Sequence, residues 1–86
     1  MNKLEDIRAK IDQIDERMAE LFAERINLIE DVSKLKREQG LPIEDLKREE
    51  EILKKHSERF SDPKDKAAYE RFQRELIAIS KDLQKL

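Results

Sequence analysis

The residues of this chain best suited to chemistry are a few polar side chains set into or beside apolar helical stripes. Arg25 stands in a heptad stripe that otherwise reads Leu4, Ile7, Ile11, Ile14, Met18, Leu21, Leu28, Val32 and Leu35. A guanidinium keeps its charge, and burying it without a partner costs several kcal/mol, so Arg25 requires an anion from the protein or from a ligand. Lys36 follows eleven residues later, which on a helix is about 20° around and about 16 Å along. Two long side chains can converge on one small anion from that separation. Arg8 also flanks the stripe, but it lies about 25 Å before Arg25 along the same helix. It can reach a shared small ligand only from the partner subunit of an antiparallel dimer. Each cation has an ordinary alternative. For Arg8 and Lys36 it is solvent exposure or a surface ion pair; for Arg25 it is a register-setting pair with a neighbouring glutamate.

Two further clusters add polar groups. Ser80 and Gln84 are an i,i+4 pair beside an apolar stripe, so they present a hydroxyl and an amide on one helix face. Asp45 and Glu49 have the same spacing, with Arg48 between them. Asp45 has a sufficient role as a helix cap, whereas Glu49 can accept a hydrogen bond from a ligand hydroxyl. Together these residues describe a pocket with two or three fixed cations, a carboxylate, an amide and a hydroxyl. The sequence contains no cysteine, a single histidine at His56, and no glycine-rich phosphate loop, so no metal, cofactor or activated nucleophile is expected. Such a pocket suits a small organic dianion whose reaction needs shape and charge placement rather than covalent catalysis.

Positioning these groups falls to three helices. The only glycine and the first proline coincide at Gly40-Leu41-Pro42, where glycine can close a helix and proline cannot continue one. A long first helix therefore runs from Leu4 to Gln39. Asp45 caps a short second helix ending near Arg59. Ser61-Asp62-Pro63 forms the second break, with Asp62 as cap and Pro63 in the first helical position. A third helix of medium length runs to Lys85, and its stripe of Tyr69, Phe72, Leu76, Ile79, Leu83 and Leu86 steps by three and four. The fold class is all-α. At 86 residues the chain, 1–86, is expected to be one domain. With 37% hydrophobic and 47% charged residues it is poor in core for its size. A first helix of about 54 Å exceeds the roughly 30 Å diameter of a compact chain of this length. A second copy covering the rest of the stripe, in an intertwined homodimeric helical bundle, resolves that mismatch. Net charge of −2 with both signs interleaved offers no field for nucleic acid or an anionic membrane. There is neither a signal-peptide pattern nor a membrane-length apolar run, so the expected setting is soluble and cytoplasmic.

At these positions the sequence resembles the all-helical chorismate mutases. The segments that carry the likeness are Leu4-Glu-Asp-Ile-Arg8-Ala-Lys-Ile-Asp-Gln-Ile-Asp15, Leu21-Phe-Ala-Glu-Arg25, Val32-Ser-Lys-Leu-Lys36 and Pro42-Ile-Glu-Asp45-Leu-Lys-Arg48-Glu49. The resemblance implies a Claisen rearrangement of chorismate to prephenate, a step towards phenylalanine and tyrosine, with these two compounds as the small-molecule ligands. By the same resemblance Arg25, with Arg8 from the other protomer, binds carboxylates. Lys36 and Gln84 contact the ether oxygen, Glu49 accepts from the ring hydroxyl, and Asp45, Arg48 and Ser80 complete the substrate-binding set. Two alternatives stand beside this one. One is an isochorismate-pyruvate lyase of the same fold, and the other is a noncatalytic helical dimerisation module in which Arg25 sets register.

Overall fold

The computed structural model describes residues 2–85, which form α1 (Lys3–Gln39), α2 (Leu46–Ser57) and α3 (Pro63–Lys85). Leu86, counted in the third helix's stripe, lies outside the described residues. Each helix boundary has a local cause. The Asn2 side chain accepts from the Leu4 amide at 2.9 Å, so α1 begins one residue earlier than its apolar pattern suggests. At the other end Gly40 takes φ 67° and ψ 28°, and the Leu41 amide closes back on the Lys36 carbonyl at 2.8 Å. Only the backbone angle demands glycine there, because a Cβ would meet nothing within 4 Å. Asp45 Oδ1 accepts from the Arg48 amide at 3.1 Å to start α2, and Asp62 Oδ1 accepts from the Lys64 amide at 2.8 Å to start α3. α2 closes at Ser57, two residues short of the expected Arg59.

α3 packs against both other helices. The buried residues of the described chain are Ser57, Gln73, Ile77 and Ser80, and Ile77 is the one apolar member. The line of α3 turned furthest from solvent is therefore Gln73, Ile77 and Ser80, one step around from the expected stripe, of which Phe72 is exposed. Two polar residues on that line hide it from a hydropathy pattern. Phe60, in the α2–α3 connection, stacks near Tyr69 with ring centroids 4.9 Å apart and fixes the turn.

On α1 the half-buried positions are Phe22, Arg25, Ile26, Ile29, Ser33 and Lys36, all in the C-terminal half. The heptad stripe itself, from Leu4 through Leu35, stays 38–64% exposed. α1 thus carries two apolar lines: a short one spent on its own α3, and a long one left open along the molecule's 57 Å axis. The radius of gyration is 16.4 Å, against about 12 Å for a compact chain of this length. Among the described residues no helix is long and apolar enough to cross a membrane, and no cluster of His, Cys, Asp and Glu could hold a metal ion.

Candidate active site

Where α1, α2 and α3 approach one another they enclose a cleft of about 230 Å³. From α1 come Arg25, Ile29, Val32 and Lys36; from the following connection, Ile43 and Asp45. α2 adds Arg48, Glu49 and Ile52, and α3 adds Ile77, Ser80, Lys81 and Gln84. Seven of the eight residues expected at the site, Arg25, Lys36, Asp45, Arg48, Glu49, Ser80 and Gln84, line this one cleft. Arg8 does not. It is exposed on the free half of α1, about 25 Å from Arg25 along the helix.

Arg25, Lys36, Asp45, Glu49, Ser80, Lys81 and Gln84 are each held by an identifiable contact. Arg25 Nη1 donates to Ser80 Oγ, and that hydroxyl gives its own proton to the Leu76 carbonyl at 2.8 Å. Lys36 Nζ donates to the Ile43 carbonyl at 2.7 Å, which draws the connection after α1 over the cleft. Gln84 Nε2 donates to the Ser80 carbonyl at 3.2 Å, while its Oε1 is buried without a partner. One N–H of that amide remains for a ligand. Asp45 is engaged in capping through Oδ1. Glu49 Oε1 accepts from Lys81 Nζ at 3.0 Å, and Glu49 Oε2 is buried without a partner.

Among the described residues Arg25 has no anionic partner. The one half-buried carboxylate in the cleft is taken by Lys81, and neither Arg25 nor Lys36 forms an ion pair among the described residues. Their acceptors within the chain are a neutral hydroxyl and a backbone carbonyl. Register-setting pairing of Arg25 with a glutamate does not occur within the chain. Around the cleft Arg25, Lys36, Arg48 and Lys81 face Asp45, Glu49 and, at the rim, Glu44, so cations outnumber acids. Such an excess suits a small anion.

Residues 7–85 match the family model described as chorismate mutase type II. The chain belongs to the chorismate mutase type II family. It is similar to a protein named chorismate mutase from Methanocaldococcus jannaschii, 46% identical over 52 residues that cover 60% of this chain and 52% of that protein. It is also similar to a protein named T-protein from Haemophilus influenzae, 44% identical over 43 residues, half of this chain and 11% of that one. The matched stretch thus spans about half the length of the archaeal relative and a small part of the bacterial one.

Within this family member the cleft contains a residue that sequence reasoning passed over. Lys81 stands between Ser80 and the Gln84 turn and pairs with Glu49 across 32 positions of sequence, with Glu44 as a second partner at 3.6 Å. These acids hold the Lys81 pKa above its ordinary value, the hydrogen bond with Glu49 being the largest cause. Its helical phase was the available signal: Ile77, Ser80, Lys81 and Gln84 fall at i, i+3, i+4 and i+7, one face of α3.

Proposed function

We propose that this protein is a chorismate mutase, an isomerase converting chorismate to prephenate by a noncovalent Claisen rearrangement in aromatic amino acid biosynthesis. The observation that carries the reading is the pair Arg25 and Lys36, both lining the cleft and without acidic partners among the described residues. Chorismate has two carboxylates, which match the cleft's surplus charge. Its enolpyruvyl arm must fold over the ring before the carbon–carbon bond can form. Arg25, together with Arg8 of a second subunit, holds that compact conformer through carboxylate pairing. The rearrangement moves electrons around a six-atom ring, forming the carbon–carbon bond as the ether carbon–oxygen bond breaks. No proton or redox equivalent leaves. Negative charge grows on the ether oxygen, where Lys36 and the spare N–H of Gln84 stabilise the transition state more than the ground state. Glu49 Oε2 accepts from the ring hydroxyl, while Asp45, Arg48 and Ser80 complete the substrate contacts.

The working form in this reading is an intertwined homodimer. The open stripe of α1 supports it, since nine large apolar residues from Leu4 to Leu35 remain more than a third exposed in one chain. An antiparallel copy would cover them and carry its Arg8 towards Arg25. The interleaved surface charges fit a soluble, cytoplasmic setting for the domain formed by residues 1–86. Supplying chorismate and isochorismate separately tests the reading. Prephenate from the former supports it; pyruvate from the latter alone would identify the lyase instead.

A further inference from the structure

Glu49 has its two carboxylate oxygens in different surroundings. Oε1 is held by Lys81 Nζ at 3.0 Å, whereas Oε2 is buried and unpartnered in the cleft. The charged groups around it are Arg25 and Lys36 from α1, Glu44 and Asp45 from the connection, Arg48 from α2 and Lys81 from α3. Of the cations, Lys81 is the one within ion-pair distance of Glu49. The Lys81 side chain is 28% exposed and that of Glu49 19%, so water screens this pair only in part. Glu44, 61% exposed at the rim, engages the same ammonium at 3.6 Å. Lys81 is therefore committed to two protein carboxylates and is not free to receive a ligand anion.

We propose that Lys81 is a positioning and specificity residue: by gripping Glu49 Oε1 it fixes the carboxylate as an acceptor whose open Oε2 selects ligands bearing a hydroxyl at that point. The inference rests on the function proposed above and deepens it. A carboxylate in a partly dry cleft without a paired cation tends to take up a proton, and a protonated carboxyl can donate as well as accept. It would then tolerate an ether in place of the hydroxyl. Held by Lys81 through Oε1, the carboxylate meets the ligand as an acceptor at Oε2, and a ligand without a hydroxyl proton leaves that oxygen buried and unpaired. Sites built around such a bond reject the analogue strongly.

The test compares wild type with Lys81→Met, Lys81→Gln and Lys81→Arg. Turnover is read across mildly acidic to mildly alkaline pH with chorismate and with its ring O-methyl ether, and circular dichroism verifies folding. In Lys81→Met and Lys81→Gln the preference for the hydroxyl over the ether should fall by about 10-fold or more. The acid limb of kcat/KM should move to higher pH. Lys81→Arg should restore both. Parallel loss on both compounds with an unmoved acid limb, or no restoration by arginine, overturns the proposal. The 13C signal of the Glu49 side-chain carboxyl, followed against pH without ligand, reads the pairing independently of turnover. Its midpoint should lie at higher pH in Lys81→Met, and coincident curves overturn the pairing role. If wild type fails to turn over chorismate while this signal moves as expected, the functional assignment has failed and the Lys81–Glu49 coupling has not.

Discussion

Arg25 and Ser80 are joined across the α1–α3 contact, Nη1 donating to Oγ, while Ser80 donates onward to the Leu76 carbonyl at 2.8 Å. The serine hydroxyl has one proton and spends it on its own helix, so it can meet the guanidinium only as an acceptor. This orients Arg25 without neutralising it. A cation standing in an aliphatic stripe and held by a neutral group keeps its charge available, as the proposed function requires.

Replacing Arg25 with leucine separates binding from folding. The variant should lose about 100-fold or more in kcat/KM for chorismate. Its thermal stability should hold or rise, because an incompletely compensated charge gives way to an apolar residue that suits the heptad. Kinetics and a melting curve on the same preparation check this. A tighter or altered oligomer, with no chorismate turnover in either protein, would favour the noncatalytic dimerisation module.

Lys36→Ala should lower turnover by about 100-fold to 1,000-fold, the usual effect of removing one preorganised donor at a developing charge. The helical circular dichroism signal and the oligomeric state should persist, since Lys36 contacts the connection through one hydrogen bond to Ile43. Unchanged chorismate consumption would remove Lys36 from the reaction.

Arg8 and Arg25 should complement each other between subunits. Arg8→Ala and Arg25→Ala homodimers, each nearly inactive, should recover activity when mixed and allowed to exchange, because a heterodimer holds one site with both arginines intact. Verified exchange with no recovery would mean that Arg8 does not act across the dimer.

The Lys81 pair gives a pH signature. Lys81 carries a raised pKa in the folded chain, chiefly through its hydrogen bond with Glu49. A base whose folded pKa is raised contributes stability that is complete below its ordinary value, here 10.5, and is lost as pH climbs through the higher folded value. The difference in melting temperature between wild type and Lys81→Met should therefore stay level from neutral pH to about pH 10 and shrink above it. A difference that persists at high alkalinity would show the contact to be packing rather than charge.

How far the sequence reveals this molecule depends on how local each cause is. Helix boundaries are set within a few residues, by Asn2, Gly40, Asp45 and Asp62, and the pattern places them within a residue or two. The cleft residues on α1 and α2 are also legible, because one arginine in an apolar stripe and a capped i,i+4 acid pair are visible along one dimension. The inward line of α3 is less so. Gln73 and Ser80 are buried beside Ile77, and a rule that equates inward with apolar selects Phe72 instead. Lys81 is harder to read because its partner Glu49 comes from another helix, and its phase with Ile77, Ser80 and Gln84 gains meaning only once that face is known to point inward. The two lines of α1 blur together for a related reason: Phe22, Ile26 and Ile29 serve the chain's own fold, while the adjacent heptad stripe is left open.

Incubating the purified protein with chorismate and following product by NMR, with oligomeric state measured in the same buffer, tests the central claim most directly. The account predicts that prephenate forms without release of pyruvate, from a protein that is dimeric. Chorismate left unchanged by the folded dimer would contradict it.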